Sequence, residues 1–363
     1  LYFVWAAVWA FGGACDDQGR DYRAEFSQMW RSEWRNVSFP QQGTVFDYYL
    51  HPEKKKFLPW TEIAPKFEYV NGRSVFNSLV FSPETTRINF FAKELLEGGH
   101  PVMLTGFAGT GKSVLIRNLL NNLNDQEFMY RAMNFNYYTT SLALQLFLES
   151  AVEMKSGKLY APPAQRKCIY FIDDINMPEI DLYGTQAPMT LLRQHLDYQH
   201  WYDRQAMTLK DVKGVNYVSC MNPTAGSFTI NPRLQRHFST FALGIPPDNS
   251  IKMILSSMLE GHLESYGFNS EIKGISTKLY ESIINIHKEI TKTFIPTAIK
   301  FHYTFNLRDE CQLLQGVLRA MPNVVKTPEQ ITQLLATDAI RVYADRLIDL
   351  VDYQRAKDIC IQQ

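Results

Sequence analysis

The sequence lacks a charge excess of either sign: 37 Lys and Arg balance 37 Asp and Glu, for a formal net charge of zero. That argues against a nucleic-acid binder working through a broad basic face, and no nucleic-acid partner is expected. Cysteine is sparse. Cys15, Cys168, Cys220, Cys311 and Cys360 are odd in number and far apart, with no C-x-x-C pair. Neither a disulfide framework nor a zinc site is suggested, and the pattern fits a reducing compartment. A long apolar run is also missing. Residues 1–14, LYFVWAAVWAFGGA, are very apolar but too short for a membrane span, and no basic segment precedes them. They read as a buried helix ending at Gly12-Gly13, and no membrane partner is expected. There is no initial Met, and the chain stops at Gln363 in helical character, so it reads as a piece of a longer polypeptide.

What is present is ordinary globular composition, 45% apolar and 20% charged over 363 residues, enough for a large core and two domains. Asp21 to Trp34 carries apolar residues at helical spacing. Thr44–Leu50 is strand-like, His51 to Lys55 is a turn, and Lys56–Trp60 can return antiparallel. Ser82 is a natural N-cap with Pro83 at the first helical position, and that helix ends at Gly98-Gly99. Strands are expected at 101–105, 128–135, 168–172, 216–220 and 238–243. Helices are expected between them at 114–120, 140–151 and 190–198, with a Gly/Pro-containing excursion at 156–165. Strands alternating with helices imply an α/β domain with a parallel sheet. Beyond Pro246-Pro247 strand signals nearly vanish. Helices are expected at 251–263, 276–293, 307–319 and 328–352, forming a separate domain.

Residues 106–113 read GFAGTGKS and fit G-x-x-x-x-G-K-[ST]. Gly106, Gly109 and Gly111 let the backbone bring its N–H groups close to an anion. The expected nucleotide contacts run through Gly106, Phe107, Ala108, Gly109, Thr110, Gly111, Lys112, Ser113 and Val114. Lys112 can reach the β and γ phosphates, and Ser113 can ligate Mg²⁺. The helix that follows turns its N-terminus to the phosphates. Ile169-Tyr-Phe-Ile-Asp173-Asp174 is an apolar strand ending in two carboxylates. Asp173 would hold Mg²⁺ through water, and Asp174 would polarise an attacking water. Asn222 ends a third strand, where it could meet the γ-phosphate. Arg233 and Arg236 offer guanidinium forks suited to a charged phosphate; ordinary surface pairing is their other explanation. Arg308 stands near the start of a helix in the second domain. His195, Asp197 and His200 do not share a helix face suited to metal. Tyr48-Tyr49 and Tyr137-Tyr138 are read as packing residues, and Met177-Pro178 as a turn.

P-loop, apolar run with acids, strand-end Asn and lid Arg, in that order, resemble the AAA+ ATPases. The strings FIDDINMPEIDLYGTQAPMTLLRQHLDY, YVSCMNPTAGSFTINPRLQRHF and FHYTFNLRD look like the third AAA+ module of axonemal dynein heavy chains, the outer-arm beta type above all. FVWAAVWAFGGA, QGTVFDYY and NFNYYTTS extend the resemblance over nearly the whole chain.

The resemblance implies a parallel sheet in the order 5-1-4-3-2 flanked by helices, followed by a helical lid. Residues 1–35 would be the end of the preceding module with connecting helices, 36–245 the large domain, and 246–363 the small one. Lys112 and Ser113 would be Walker A, Asp173 and Asp174 Walker B, Asn222 sensor I and Arg308 sensor II. Arg233 or Arg236 would be an arginine finger reaching the preceding module's site. The segments 156–166 and 201–214 match the family's extra hairpins. The implied ligand is ATP or ADP with Mg²⁺. The implied partners are adjacent modules and the linker of the same heavy chain, other dynein heavy, intermediate and light chains, and microtubules through the rest of the motor. The implied place is the cytoskeleton of the ciliary or flagellar axoneme. The implied role is to gate ATP-driven, minus-end-directed motility. Asp174 stands where AAA+ proteins usually carry Glu, which implies slow hydrolysis at this site. A structural module with permanently bound ADP and a stand-alone AAA+ ATPase are the alternatives.

Overall fold

The computed structural model describes residues 1–15, 19–34, 36–224 and 230–362. Part of the string YVSCMNPTAGSFTINPRLQRHF, residues 225–229, and the terminal Gln363 lie outside them. The chain forms two compact units, Leu1–Phe67 with Phe81–Ile88, and Glu68–Val80 with Asn89–Gln363.

In the first unit, the apolar opening segment is helical over Tyr2–Ala7 and continues with a wider turn through Val8–Gly12. It is one-sided, not buried all round: Val4, Ala7 and Val8 face the core, while Phe3 and Phe11 are each 73% exposed. Gly12 is required by close approach, since a Cβ there would lie 2.5 Å from the Phe26 ring. The helix Tyr22–Glu33 begins where Asp21 Oδ1 accepts the Ala24 N–H at 2.9 Å. The strand expected over 44–50 is shorter. The Asp47 carboxylate accepts from Thr44 N and Oγ1, at 2.6 and 2.9 Å, and holds 45–47 in a helical turn. Tyr48–His51 then pairs antiparallel with Lys56–Pro59, as the hairpin reading expects.

The second unit is built on five parallel strands, β1 (Val102–Thr105), β2 (Phe128–Asn134), β3 (Lys167–Asp173), β4 (Val215–Met221) and β5 (Ser239–Ala242). Their spatial order is 5-1-4-3-2, as expected. Cys168 to Ile172 are fully buried, which is why this strand reads as a continuous apolar run. The helix α1 (Pro83–Glu97) starts in the Phe81–Ile88 stretch of the first unit and ends in the second, whose next helices are α2 (Lys112–Asn121), α3 (Ser141–Glu149) and α4 (Ala187–Tyr198). Ser82 Oγ accepts the Thr85 N–H at 3.2 Å, the N-cap that Ser82-Pro83 announces.

The two excursions form hairpins, Glu153–Ser156 with Leu159–Ala161 and His200–Tyr202 with Leu209–Val212. A parallel pairing of Leu159 with Asp211 and Tyr160 with Val212 joins them into one four-stranded sheet. Tyr48 and Tyr49 are buried as expected, but Tyr138 is 84% exposed and Tyr137 spends its hydroxyl on Glu179 at 3.0 Å. The Tyr137-Tyr138 pair is therefore not core packing.

The helical part comprises α5 (Asp248–Ser265), α6 (Ser276–Thr293), α7 (Leu307–Val317), α8 (Pro328–Ala339) and α9 (Leu350–Gln362). The single helix expected over 328–352 is broken. After α8 the turns widen through Ile340–Ala344, with Asp345 N–H reaching back five residues to Ile340 O at 3.1 Å. Arg346 then leaves the helix path to bond the 302–309 segment. No helix among the described residues is long and apolar enough to cross a membrane.

His195, on α4, is buried between β4 and the insert sheet. Its Nε2 lies 3.1 Å from Val212 O, a carbonyl that can only accept, so Nε2 carries the proton. Nδ1 therefore accepts from the Tyr217 hydroxyl at 3.0 Å. Burial lowers the His195 pKa from 6.5 to about 4. Because the folded pKa lies below the unfolded one, stability is full above pH ~6.5 and is lost as pH falls toward 4, by about 3 kcal/mol from this group. Denaturant unfolding between pH 7 and pH 4, followed by tryptophan fluorescence, should show that loss, and His195→Gln should flatten it.

Candidate functional site

Backbone pairing fixes where the glycine loop begins. β1 lies between β4 and β5, with Thr105 opposite both Met221 and Ala242. Gly106 N–H donates to Met221 O at 3.2 Å, and Leu243 N–H donates to Thr105 O at 2.7 Å. The loop therefore springs from the sheet directly beside Asn222. A Cβ at Gly106 would stand 2.3 Å from the Leu243 carbonyl oxygen, a backbone atom with no room to move. Gly109 and Gly111 have φ of 83° and 87°, the left-handed region that glycine enters without strain.

Gly111 is the N-cap residue of α2, and no side chain caps that end. The first-turn N–H groups are thus left to an external acceptor. Lys112 is buried, 8% exposed, and its ammonium donates to the carbonyls of Gly106 at 2.9 Å and Phe107 at 2.7 Å. Thr110 Oγ1 also donates to Phe107 O at 3.0 Å. Ser113 and Val114 follow in the first turn, both half-buried.

Asp173 ends β3 and Asp174 follows it with φ of 54°. Asp tolerates this left-handed conformation better than most residues. Burial lowers the Lys112 pKa; Cys220, Asp173 and Asp174 raise it, and Arg308 lowers it further. The Asp174 pKa is raised by loss of hydration and by the Asp173 carboxylate, against the pull of Lys112 and Arg308. These opposed influences place Lys112, Asp174 and the lid residue Arg308 within one electrostatic field, with Asp173 beside them.

Asn222 follows β4, but its Oδ1 is engaged by Thr224 N and Oγ1, at 3.1 and 2.9 Å. Arg233 and Arg236 sit on the short helix Pro232–Gln235 and its C-cap. Arg236 bonds Asp197 at 2.7 Å, and His237 bonds the same oxygen at 2.9 Å. The Arg233 guanidinium, by contrast, bonds none of the described residues. Asp197, considered with His195 and His200 as a metal set, is thus an arginine partner, and its carboxyl pKa is held low by Arg236.

Sequence reasoning missed Asn306. Its Oδ1 caps α7 by accepting the Arg308 N–H at 2.9 Å, and a Cβ on Gly109 would stand 2.8 Å from that same Oδ1. The lid thus meets the glycine loop two residues before its arginine. Only Asn, Asp or Ser as a helix cap hints at this in the sequence.

The residues present suit a Mg-nucleotide. They provide an uncapped helix end and a buried lysine for phosphate, and the hard oxygen donors of Ser113 and Asp173 for Mg²⁺. Together with the 5-1-4-3-2 sheet and the helical lid, they define a P-loop module of the AAA+ class.

Comparison with known proteins narrows the class. Residues 67–246 match the family described as P-loop containing dynein motor region, 279–363 match AAA+ lid domain, and 1–62 match dynein heavy chain AAA lid domain. The chain is 49% identical over 362 residues to mouse (Mus musculus) dynein axonemal heavy chain 17, covering 99% of this chain and 8% of that protein. It is 48% identical over its whole length to the ciliary dynein beta chain of Tripneustes gratilla, again 8% of that protein. Identity to the flagellar outer arm dynein beta chain of Chlamydomonas reinhardtii is 40%, over 97% of this chain and 8% of that one. The chain belongs to the axonemal dynein heavy-chain family and is an AAA+ motor-region segment of it. A P-loop module of this family implies nucleotide binding.

Gly106→Ala should lower stability by about 1–3 kcal/mol, the usual cost of forcing a group into filled space. Gly111→Ala meets no atom within 4 Å, so its cost is only that of the positive φ. Thermal melts of the two variants should rank Gly106→Ala as the less stable.

Proposed function

We propose that this chain is the third AAA+ module of an axonemal dynein heavy chain and that its site holds Mg-ATP or Mg-ADP to gate the motor. The observation that carries this is the meeting of the glycine loop and its lysine with the strand end bearing Asp173 at one sheet edge, with the lid cap Asn306 against Gly109. The backbone from Gly106 to Val114 binds the phosphates, and Lys112 leaves its two loop carbonyls to pair with them. Ser113 and Asp173 hold Mg²⁺, which when bound neutralises phosphate charge. Asp174 accepts a hydrogen bond from the attacking water, Asn222 turns its amide toward the γ-phosphate, and Arg308 brings positive charge from the lid.

Of the two finger candidates, Arg233 is the better suited to reach the preceding module's site, because Arg236 is committed to Asp197. The division into 1–35, 36–245 and 246–363 is retained as the modular assignment. Partners on this proposal are the adjacent modules and linker, the other dynein chains and, through the rest of the motor, microtubules of the ciliary or flagellar axoneme.

Turnover at the site is slow. The Asp174 carboxylate is one methylene shorter than Glu, and a displacement near 1 Å costs about a hundredfold in rate. That same residue favours, as a second possibility, a module that keeps ADP permanently.

In the full heavy chain, Lys112→Ala should remove one bound nucleotide per chain, measured after gel filtration. Equal nucleotide content in wild type and variant would refute the site. Asp174→Glu should raise turnover by up to ~100-fold in single-turnover assays, with a stability cost because Glu is less at ease at positive φ. Fast wild-type turnover would refute slow hydrolysis. A nucleotide that never exchanges in wild type would favour the permanent-ADP alternative.

A further inference from the structure

The 300–309 segment, which carries Asn306 and Arg308 to the P-loop, is fastened on its other side to the chain entering α9. Arg346 makes the largest part of that fastening. Its Nη1 donates to Asp309 Oδ1 at 2.9 Å, and its Nη2 donates to Thr304 O at 2.7 Å and His302 O at 3.3 Å. Its guanidinium lies over the Phe305 ring, 4.7 Å from the centroid. Asp309, so held, accepts the Asn306 N–H at 2.9 Å through its other oxygen. Lys300 pairs with Asp349 at 2.6 Å and with Asp352. The Tyr303 hydroxyl donates to Asp352 at 3.0 Å and accepts the Ile348 N–H at 3.2 Å.

These bonds place one ten-residue segment between Gly109 on one side and residues 346–352 on the other. The geometry points to Arg346 as a positioning residue that makes α9 follow the state of the P-loop. Nucleotide at Gly106 to Ser113 fixes the loop against Asn306. Asn306 and Asp309 fix the start of α7, and Arg346 with Lys300 carries that constraint to α9. Arg346 suits the task because its planar fork reaches acceptors on three residues from two separate nitrogens, whereas an ammonium's donors all radiate from one. Three of its contacts fall on the segment leading into the α7 cap and one on the cap's own carboxylate, so its loss loosens the segment that carries Arg308. This inference rests on the nucleotide site proposed above.

Hydrogen exchange on the full heavy chain, with and without Mg-ADP, tests it through peptides covering 106–113, 300–309 and 345–352. In wild type all three should exchange at least about fivefold more slowly with nucleotide, the smallest ratio usual for coupled sites. Arg346→Lys should keep protection at 106–113 and lose it at 345–352. Lys300→Gln, which leaves Arg346 in place, should also reduce protection at 345–352, and serves if Arg346→Lys does not fold. Protection at 106–113 without any at 345–352 in wild type overturns the inference, as does unchanged transmission in both variants. No protection at 106–113 in wild type overturns both this inference and the nucleotide site beneath it.

Discussion

Two backbone hydrogen bonds set the geometry of everything else. Gly106 N–H to Met221 O and Leu243 N–H to Thr105 O tie the end of β1 to the ends of β4 and β5. Because the sheet is parallel, every strand delivers its chain to the same edge, so loops distant in sequence emerge side by side. The glycine requirement at position 106 is a direct result, since the Leu243 carbonyl occupies the space a side chain would need. The order 5-1-4-3-2 places β1 between β5 and β4 and puts the carboxylates at the end of β3 one strand beyond Asn222.

On that edge the charges oppose one another. Lys112 is buried, and its ammonium donates to two loop carbonyls while Asp173 and Asp174 act on it from the neighbouring strand end. Asp174 is pushed toward its neutral form by burial and by Asp173, and pulled back by Lys112 and Arg308. Nucleotide binding, which the family implies, supplies a polyanion that answers the lysine and the arginine together.

Much of this was legible in the sequence, for identifiable reasons. The P-loop shows because its chemistry demands particular residues at fixed spacing. β3 shows because a strand buried on both faces must be apolar throughout. The sheet order followed from the family resemblance and not from periodicity, which carries no information about lateral neighbours. What escaped notice depends on partners far along the chain. Asn306 faces Gly109 across almost two hundred residues, and nothing local distinguishes Arg236, bound to Asp197, from Arg233. The break after α8 was invisible because apolar residues continue through Ile340, Val342 and Tyr343, with no Gly or Pro to mark the stop. Glu153–Ser156 is exposed throughout and so lacks the alternation that signals a strand.

The joining of the two insert hairpins has a consequence for how such a module can change over time. Strands of three or four residues in an isolated hairpin are marginal in water. Here each hairpin completes the other through the pairing of Leu159 and Tyr160 with Asp211 and Val212. Loss of one would expose the open edge of its neighbour. The second hairpin also ends at Val212, only three residues before β4, the strand that leads to Asn222. The two hairpins therefore constitute a single unit of change: a substitution that lengthens or recharges one acts on the strand edge it shares with the other.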